Sequence, residues 1–303
     1  MRLTARRLGA PYCVTESMLD HTLLTSPRKR KVEHPDRVAG EDRPIAGQIV
    51  GHDATEMAAA AALVVEMGFY VVDVNLACPS KLAKRRPRGG NLLAAPANAI
   101  EILTAVRGAV PAMIPCTVKL RRAWDDSPAM ALAFERIFEA AYEIGFAWTT
   151  VHSRTVEQRY VGRGRWSALA ALVHRYPDRL IFGSGDVDTA EDIFSMMDLC
   201  GVHAVAVARG AIANPWIFRQ ARQLLAGQEK TEPSLAEQGR VLLAQFDQRA
   251  FLVGDRKASI LMRKQSIHVA ESHPRGPDVR SAFVAAQTAA QWRAVLDQWY
   301  PQP

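Results

Sequence analysis

The sequence predicts an α/β fold, specifically a (β/α)8 TIM-type barrel followed by a C-terminal helical domain. Short apolar segments rich in β-forming residues alternate with longer segments of helical periodicity. This alternation indicates parallel βαβ units, in a number that favours a barrel over a doubly wound sheet. The strand signal disappears after Leu225, and a polar segment that contains proline follows at 227–233.

Seven segments are typical of strands, whereas a complete barrel has eight. The predicted strands are 12–15, 45–50, 70–76, 114–120, 148–152, 180–183 and 204–208.

Helix starts and stops lie between these strands. Asp53 followed by Glu56 predicts a helix start, and an alanine-rich stretch continues the helix until Gly68 stops it. Two further helices are predicted at 96–107 and 127–145.

The C-terminal part is predicted to be helical throughout. Ser234-Leu-Ala-Glu237 is a capping-box pattern at the head of a helix, and helical segments continue to Trp299 with an interruption at 273–277. We therefore predict two domains, a barrel at 1–226 and a small helical bundle at 234–303.

Composition limits the classes of protein to consider. The 303-residue chain has a net charge of +7 and a pI near 9.4, which favours a polyanionic partner such as nucleic acid. No apolar run approaches the roughly 20 residues of a membrane span, and the amino terminus lacks the apolar segment of a signal peptide. The four cysteines form no C-x-x-C pair or Cys/His cluster. We expect a cytoplasmic protein that binds neither a membrane nor a structural metal.

Candidate site residues follow the strands, because reactive groups in a parallel barrel sit at the carboxyl ends of strands. Taken singly, each could be a loop residue that satisfies backbone groups. The candidates are Glu16, Gln48, Asn75, Cys78, Lys119, Arg121, His152, Arg154, Ser184, Asp186 and Arg209.

Cys78 differs from the other cysteines, which we interpret as small buried apolar residues. It precedes Pro79 and a strongly basic loop, so we expect it at a positively charged barrel mouth. Such a loop can hold a polyanion, or it can simply be a solvated charge run. Gly89-Gly90 then permits close approach of the backbone or a tight turn. The basic residues of the loop are Lys81, Lys84, Arg85, Arg86 and Arg88.

Alternation places Lys119 and Arg121 on the same side of their strand, facing inward. Buried cations need a partner, which could be a flavin oxygen, a phosphate or a barrel carboxylate such as Asp73. His152 and Arg154 end the next strand.

The last two strands end in turns that expose backbone N–H groups, Gly183-Ser-Gly-Asp186 and Ala208-Arg-Gly210. Barrels commonly bind a phosphate at this position, so the turns indicate a phosphorylated cofactor.

Together these motifs resemble the flavin-dependent tRNA-dihydrouridine synthases. Two stretches carry most of the resemblance, Asn75-Leu-Ala-Cys-Pro-Ser-Lys81 and Gly89-Gly-Asn-Leu-Leu93. The resemblance extends over nearly the whole chain through 14–18, Gln48, 117–121, 151–155, 185–186, 214–218 and, in the helical tail, 262–267.

The resemblance implies reduction of uridine to 5,6-dihydrouridine in tRNA, or in rRNA, with FMN as cofactor and NADPH as reductant. Cys78 would protonate C5 while reduced FMN delivers hydride to C6. The target uridine would leave its stack, and the basic loop and helical tail would hold the RNA meanwhile.

The resemblance also implies roles for the other candidates. The flavin would be held by Gln48, Lys119, His152, Ser184, Gly185, Asp186, Ala208 and Arg209, with the backbone of 184, 185, 208 and 209 at its phosphate. The substrate would be held by Asn75, Lys81, Arg121 and Arg154, and Arg154 could instead contact the flavin.

The chain departs from the family in three places. Ser184 stands where the family has Asn, and Ala208 where it has Gly, so the geometry at the flavin phosphate should differ slightly. Residues 1–10 resemble the first barrel helix, and the first strand, which carries an A-P-M-type segment under the flavin, is missing. We therefore expect the natural start to lie upstream of Met1.

Two other functions stay open at the level of sequence. One is an FMN-dependent barrel reductase of a small molecule, against which the basic loop argues. The other is a catalytically impaired RNA-binding homologue. In each case we expect a monomer.

Overall fold

The computed structural model describes residues 1–26, 40–79 and 87–301. The described chain forms two compact units. One contains 11–186 and 191–207, and the other contains 1–10, 187–190 and 208–303. The boundaries of the two predicted domains stay a prediction.

A parallel sheet forms the core of the first unit, and its strand order follows the chain. The order is β1-β3-β4-β5-β6-β7-β8, and β2 pairs with β3 beside β1. All seven predicted strands are present, and β2 is a short addition that continues the edge that β1 begins. The strands are β1 (Cys13–Val14), β2 (Met18–Leu19), β3 (Ile45–Val50), β4 (Val71–Leu76), β5 (Cys116–Arg121), β6 (Trp148–His152), β7 (Ile181–Ser184) and β8 (Ala204–Ala206).

Helices alternate with the strands from β3 onward and then continue alone, which confirms the predicted α/β class with a helical C-terminal part. The helices are α1 (Arg2–Arg7), α2 (Asp20–Thr25), α3 (Ala54–Glu66), α4 (Pro96–Ala109), α5 (Pro128–Ile144), α6 (Trp166–Arg175), α7 (Ala190–Cys200), α8 (Arg209–Ala213), α9 (Ile217–Leu225), α10 (Leu235–Val253), α11 (Asp255–Val269), α12 (Gly276–Ala285) and α13 (Ala289–Trp299).

Side-chain caps begin the helices where the sequence predicts them. The Asp53 carboxylate accepts a hydrogen bond from the Glu56 N–H at 2.9 Å and begins α3. Ser127 caps α5, and Ser234 accepts the Glu237 N–H at 3.2 Å to begin α10. These caps satisfy amide donors that have no partner within the helix.

The register of the strands determines which side chains meet. Gln48 lies opposite Asp73, Asn75 opposite Lys119, and Arg121 opposite His152. Since residues two apart share a face of a strand, polar side chains from β3 to β6 gather on one face near the carboxyl ends.

The second unit has an apolar core of its own in its C-terminal helices. Phe246 of α10 stacks on Trp292 of α13, with ring centroids 4.6 Å apart. The largest side chains of this core include Phe246, Met262, Phe283, Trp292, Leu296 and Tyr300. The N-terminal helix belongs to the same unit, where Gln245 donates to the Thr4 hydroxyl at 2.9 Å.

Candidate active site

A chain of hydrogen bonds crosses the polar face of the sheet from β5 to β3 and β4. The Thr117 hydroxyl donates to Asp73 at 2.6 Å, and Gln48 Nε2 donates to the other carboxylate oxygen at 2.7 Å. Asn75 Nδ2 donates to Gln48 Oε1 at 2.8 Å and to the Ser17 hydroxyl at 3.2 Å. Because each amide donates and accepts, the orientations of Gln48 and Asn75 are fixed together.

Asp73 and Lys119 are the charged groups at the centre of this face. Burial raises the pKa of Asp73 to about 6, against the opposing effect of its hydrogen bonds to Thr117 and Gln48 and of the Lys119 charge. Burial also lowers the pKa of Lys119, although the Asp73 charge works the other way. The Lys119 ammonium forms no hydrogen bond and no ion pair with any residue that the structure describes. It therefore has three donors available for a ligand.

Cys78 is exposed and lies directly after β4, in a turn that Asn75 fixes. The Asn75 Oδ1 atom accepts the N–H groups of Ala77 at 2.9 Å and of Cys78 at 3.0 Å. On the far side of the loop, the Gly90 N–H donates to the Cys78 carbonyl at 2.9 Å. Gly89 has a φ of +57°, and a Cβ there would lie 3.1 Å from the Cys78 Cβ. The glycine pair thus lets the returning chain approach the thiol, as the sequence predicts.

Arg121 is almost completely buried and donates to backbone carbonyls. Its guanidinium reaches the carbonyls of Ala77 at 2.9 Å, Thr155 at 2.8 Å and Arg159 at 2.6 Å. It also lies over the Tyr160 ring, 5.5 Å from the centroid. Arg121 therefore joins the turn that carries Cys78 to the loop that follows β6.

Arg154 and Asp186 contact each other. Arg154 Nη2 donates to the Asp186 carboxylate at 2.5 Å and to the Gly162 carbonyl at 2.6 Å. The other carboxylate oxygen of Asp186 accepts the Gly164 N–H at 2.6 Å. This pair closes the loop after β6 onto the end of β7, while Arg154 Nη1 is buried without an acceptor among the described residues.

His152 is a neutral imidazole surrounded by cations. Burial lowers its pKa to about 3, and the charges of Arg121, Lys119 and Arg154 add to this effect. Its Nδ1 accepts the Arg154 N–H at 3.1 Å. The proton of the neutral ring is then on Nε2, which can donate to a ligand.

Ser184 and Gly185 lie at the end of β7, next to His152. Gly185 has a φ of +109°, and a Cβ there would lie 2.6 Å from the Ser153 hydroxyl and 3.0 Å from the His152 ring. A side chain at Gly185 would therefore displace its neighbours. The Ser153 hydroxyl is itself buried without a partner among the described residues.

The remaining predicted residues lie elsewhere. Ala208 and Arg209 begin α8, in the second unit. Glu16 is exposed in the short segment between β1 and β2. Lys81 and most of the basic loop lie outside the described residues.

Sequence reasoning missed several members of the hydrogen-bonded chain, namely Thr15, Ser17 and Thr117. Thr15 accepts the Gln48 N–H at 2.9 Å. Thr117 lies two residues before Lys119, and Asp73 lies two residues before Asn75. Because residues two apart on a strand share a face, this spacing could have identified Thr117 and Asp73 as members of the chain. No comparable signal pointed to Thr15 or Ser17. No helix in the described part of the chain combines the length and apolar character that a membrane span requires.

Comparisons with known proteins agree on one family. The sequence model of the dihydrouridine synthase family matches residues 1–300. The tRNA-dihydrouridine synthase B of Pseudomonas putida is 32% identical over 292 residues, which cover 96% of this chain and 84% of that protein. The enzyme of the same name from Pseudomonas aeruginosa is 30% identical over 304 residues, with 99% and 89% covered. A probable tRNA-dihydrouridine synthase of Treponema pallidum is 31% identical over 267 residues, with 86% and 78% covered.

Solved structures share the fold at low identity. A 2-naphthoyl-CoA reductase complex matches with a TM-score of 0.54 and 13% identity, covering 75% of this chain and 46% of that one. Morphinone reductase in complex with tetrahydroNAD matches with a TM-score of 0.52 and 14% identity, covering 77% and 82%. These matches confirm the predicted barrel-type α/β fold.

Proposed function

The chain belongs to the dihydrouridine synthase family, and from this premise we propose that it reduces uridine in tRNA to 5,6-dihydrouridine, with FMN as cofactor, NADPH as reductant and Cys78 as proton donor. The family is one of oxidoreductases that act on tRNA uridine. The observation that carries the proposal of a flavin cofactor is the half-buried ammonium of Lys119, which forms no hydrogen bond or ion pair with a described residue and lies on the same sheet face as Gln48 and His152.

A flavin ring fits the donors of this face. Its carbonyl oxygens and ring nitrogens accept hydrogen bonds, and both the Lys119 ammonium and the neutral His152 ring offer N–H groups without a described acceptor. Burial lowers the pKa of Lys119, so an acceptor on a ligand would stabilise its charged form. Gln48 would contact the ring from the next strand. We propose the backbone of Ser184 and Gly185 for the phosphate, and the same role for Ala208 and Arg209 stays a prediction from the resemblance.

The protein residues would then complete the reduction as follows. Bound FMN would supply the hydride for C6 of the uracil. Cys78 would give its thiol proton to C5 from the other face of the ring, so that no carbanion accumulates. Cys78 is exposed, and Asn75 and Gly90 fix its backbone on both sides. The backbone that carries the thiol is thus fixed, and the exposed side chain is open to a large substrate.

Asn75 already uses its whole amide in the protein. Its two N–H groups go to Gln48 and Ser17, and its oxygen accepts two backbone donors. Contact with uracil would have to replace the bond to Ser17, which at 3.2 Å is the longer of the two. Arg121 is likewise bound to three carbonyls, so we propose that it supports substrate binding mainly by holding the loop after β6.

The test is Cys78→Ala, with Cys78→Ser as the matched control for size and polarity. We expect Cys78→Ala to retain flavin absorbance and NADPH oxidation but to lose dihydrouridine formation in tRNA by about 100-fold or more, the usual scale of a lost general acid.

Undiminished dihydrouridine formation in Cys78→Ala would remove the thiol from the reaction. Purified protein without flavin absorbance would contradict the cofactor assignment. Reduction of free uridine at a rate equal to that of tRNA would support a small-molecule reductase in place of an RNA-modifying enzyme.

A further inference from the structure

Asp20, His52 and Glu56 come together at the carboxyl end of β3, and none of them belongs to the hydrogen-bonded chain described above. Asp20 begins α2 immediately after β2, His52 lies in the turn after β3, and Glu56 lies in the first turn of α3. One ligand atom from each side chain lies within 4.8 Å of the other two.

The strand register explains this convergence. β2 pairs in parallel with β3, and Leu19 lies opposite Val50. The next residues, Asp20 and Gly51, therefore leave the sheet side by side. A Cβ on Gly51 would lie 1.8 Å from Asp20 Oδ2, so only glycine leaves room for the carboxylate at this point.

The Asp20 carboxylate is buried with one oxygen unused. The residue is only 1% exposed. Its Oδ1 atom accepts the His21 N–H at 2.7 Å, whereas Oδ2 has no hydrogen-bond partner in the described part of the chain. A buried carboxylate oxygen without a donor is costly, and a cation at Oδ2 would remove that cost.

The other two side chains are not committed to alternative partners. Asp53 and not Glu56 provides the carboxylate that caps α3. Glu56 has one ion-pair contact, to His21 at 3.8 Å, and the side chains are 38% and 68% exposed. Such a contact contributes little, so Glu56 can turn toward a ligand. His52 is partly exposed, which leaves a route for an ion from solvent.

We propose that Asp20, His52 and Glu56 bind a divalent metal ion of the Zn²⁺ type. One imidazole and two carboxylates form a mixed nitrogen and oxygen donor set that suits Zn²⁺, with water as the fourth ligand. Ca²⁺ and Mg²⁺ prefer sets made of oxygen alone. Ligand atoms of a tetrahedral zinc site lie roughly 3.3 Å apart, so small rotations of His52 and Glu56 close the site.

Such an ion would fasten the start of α2 to the start of α3. The two helices follow neighbouring strands, and β3 also carries Gln48. The proposal does not depend on flavin or RNA, because none of its ligands belongs to the hydrogen-bonded chain around Cys78.

The test is titration of the chelator-treated full chain with Zn²⁺ alone, by calorimetry, together with the visible spectrum of the Co²⁺-loaded protein. We expect one equivalent of Zn²⁺, a rise in the melting temperature on loading, and a Co²⁺ spectrum without the thiolate charge-transfer band that Cys78 would produce. His52→Ala and Glu56→Gln should each weaken Zn²⁺ binding by about 100-fold or more. Loss of a residue that only hydrogen-bonds to a metal ligand already weakens binding by up to about 100-fold, and loss of the ligand itself should cost at least as much.

His21→Ala is the matched control, because His21 is an exposed neighbour outside the ligand set, and it should bind Zn²⁺ as the wild type does. Circular dichroism checks that the variants are folded. Both ligand variants are at partly exposed positions, so the test does not depend on replacement of the buried Asp20. Absence of Zn²⁺ binding in the wild type, equal affinity in His52→Ala, or loss of the bound ion in Cys78→Ser would each overturn the proposal.

Discussion

The cations on the sheet face and those at the loop after β6 are used differently. Arg121, from the end of β5, and Arg154 donate to backbone carbonyls and to Asp186, and so give the loop after β6 its shape. On the sheet face, Lys119 forms no hydrogen bond or ion pair with a described residue. Arg121 and Arg154 therefore hold the structure of the site, whereas the Lys119 ammonium is available for a ligand. Their positions close to one another do not reveal this difference, which depends on the acceptors that each cation contacts.

The largest expected effect comes from breaking the loop. Arg154→Ala removes one donor of the Asp186 carboxylate and the arginine donor of the Gly162 carbonyl, in a pair whose side chains are 4% and 23% exposed. We expect a loss of about 3 kcal/mol in the free energy of unfolding, measured by denaturant titration.

Arg175→Ala is the matched control for this variant. Arg175 pairs with Glu135 at the same 2.5 Å, but with side chains that are 56% and 28% exposed, so the loss should be below about 1 kcal/mol. Equal losses in the two variants would contradict a structural role for the Arg154–Asp186 pair.

A second expected effect concerns His152, which lies where the two regions meet. Its pKa is lowered to about 3 in the folded protein, so below the ordinary value near 6.5 the unfolded chain binds a proton that the folded chain does not. The contribution of neutral His152 to the free energy of unfolding is therefore at its maximum above about pH 6.5, and it decreases as the pH falls. The loss between pH 6.5 and 4 should reach about 3 kcal/mol.

The measurement is the free energy of unfolding of the wild type and of His152→Asn across this pH range. The variant should lose less stability on acidification. Parallel curves for the two proteins would show that His152 is protonated normally in the folded state.

The smallest expected effect on stability comes from Lys119→Met, which removes a half-buried charge that forms no hydrogen bond or ion pair with a described residue. We expect the free energy of unfolding to change by less than about 1 kcal/mol, because the lost attraction to the Asp73 carboxylate is offset by relief of the desolvation of the ammonium. FMN should bind about 30-fold more weakly, as expected from the loss of a charge-assisted hydrogen bond of about 2 kcal/mol.

Fluorescence titration of FMN and thermal melting of the apoprotein separate these two effects. A large loss of stability with unchanged FMN affinity would place Lys119 among the structural charges, together with Arg121 and Arg154.

Much of the fold could be predicted from the sequence because its signals are local. Apolar runs mark the seven strands, Asp53 and Ser234 begin helices, and Gly68 ends one. The short strand β2 was missed, because its two residues carry no periodicity of their own and are defined only by pairing with β3.

The contacts within the site were less predictable, because they depend on register and rotamers. Arg154 and Asp186 are 32 residues apart, and sequence reasoning assigned one to substrate and the other to cofactor. Asp20 and His52 meet only because β2 and β3 are paired. The individual roles of the site residues stay predictions.

Cys78 is held at both ends of its loop, by Asn75 before it and by the Gly90 N–H after it. Because both bonds are made by residues outside the segment between Pro79 and Arg88, the backbone position of Cys78 does not depend on the length or sequence of that segment. Substitutions in that segment are therefore expected to leave the backbone of Cys78 in place. Under the proposed function, RNA specificity can diverge in the segment between Pro79 and Arg88 without requiring the proton donor to be rebuilt.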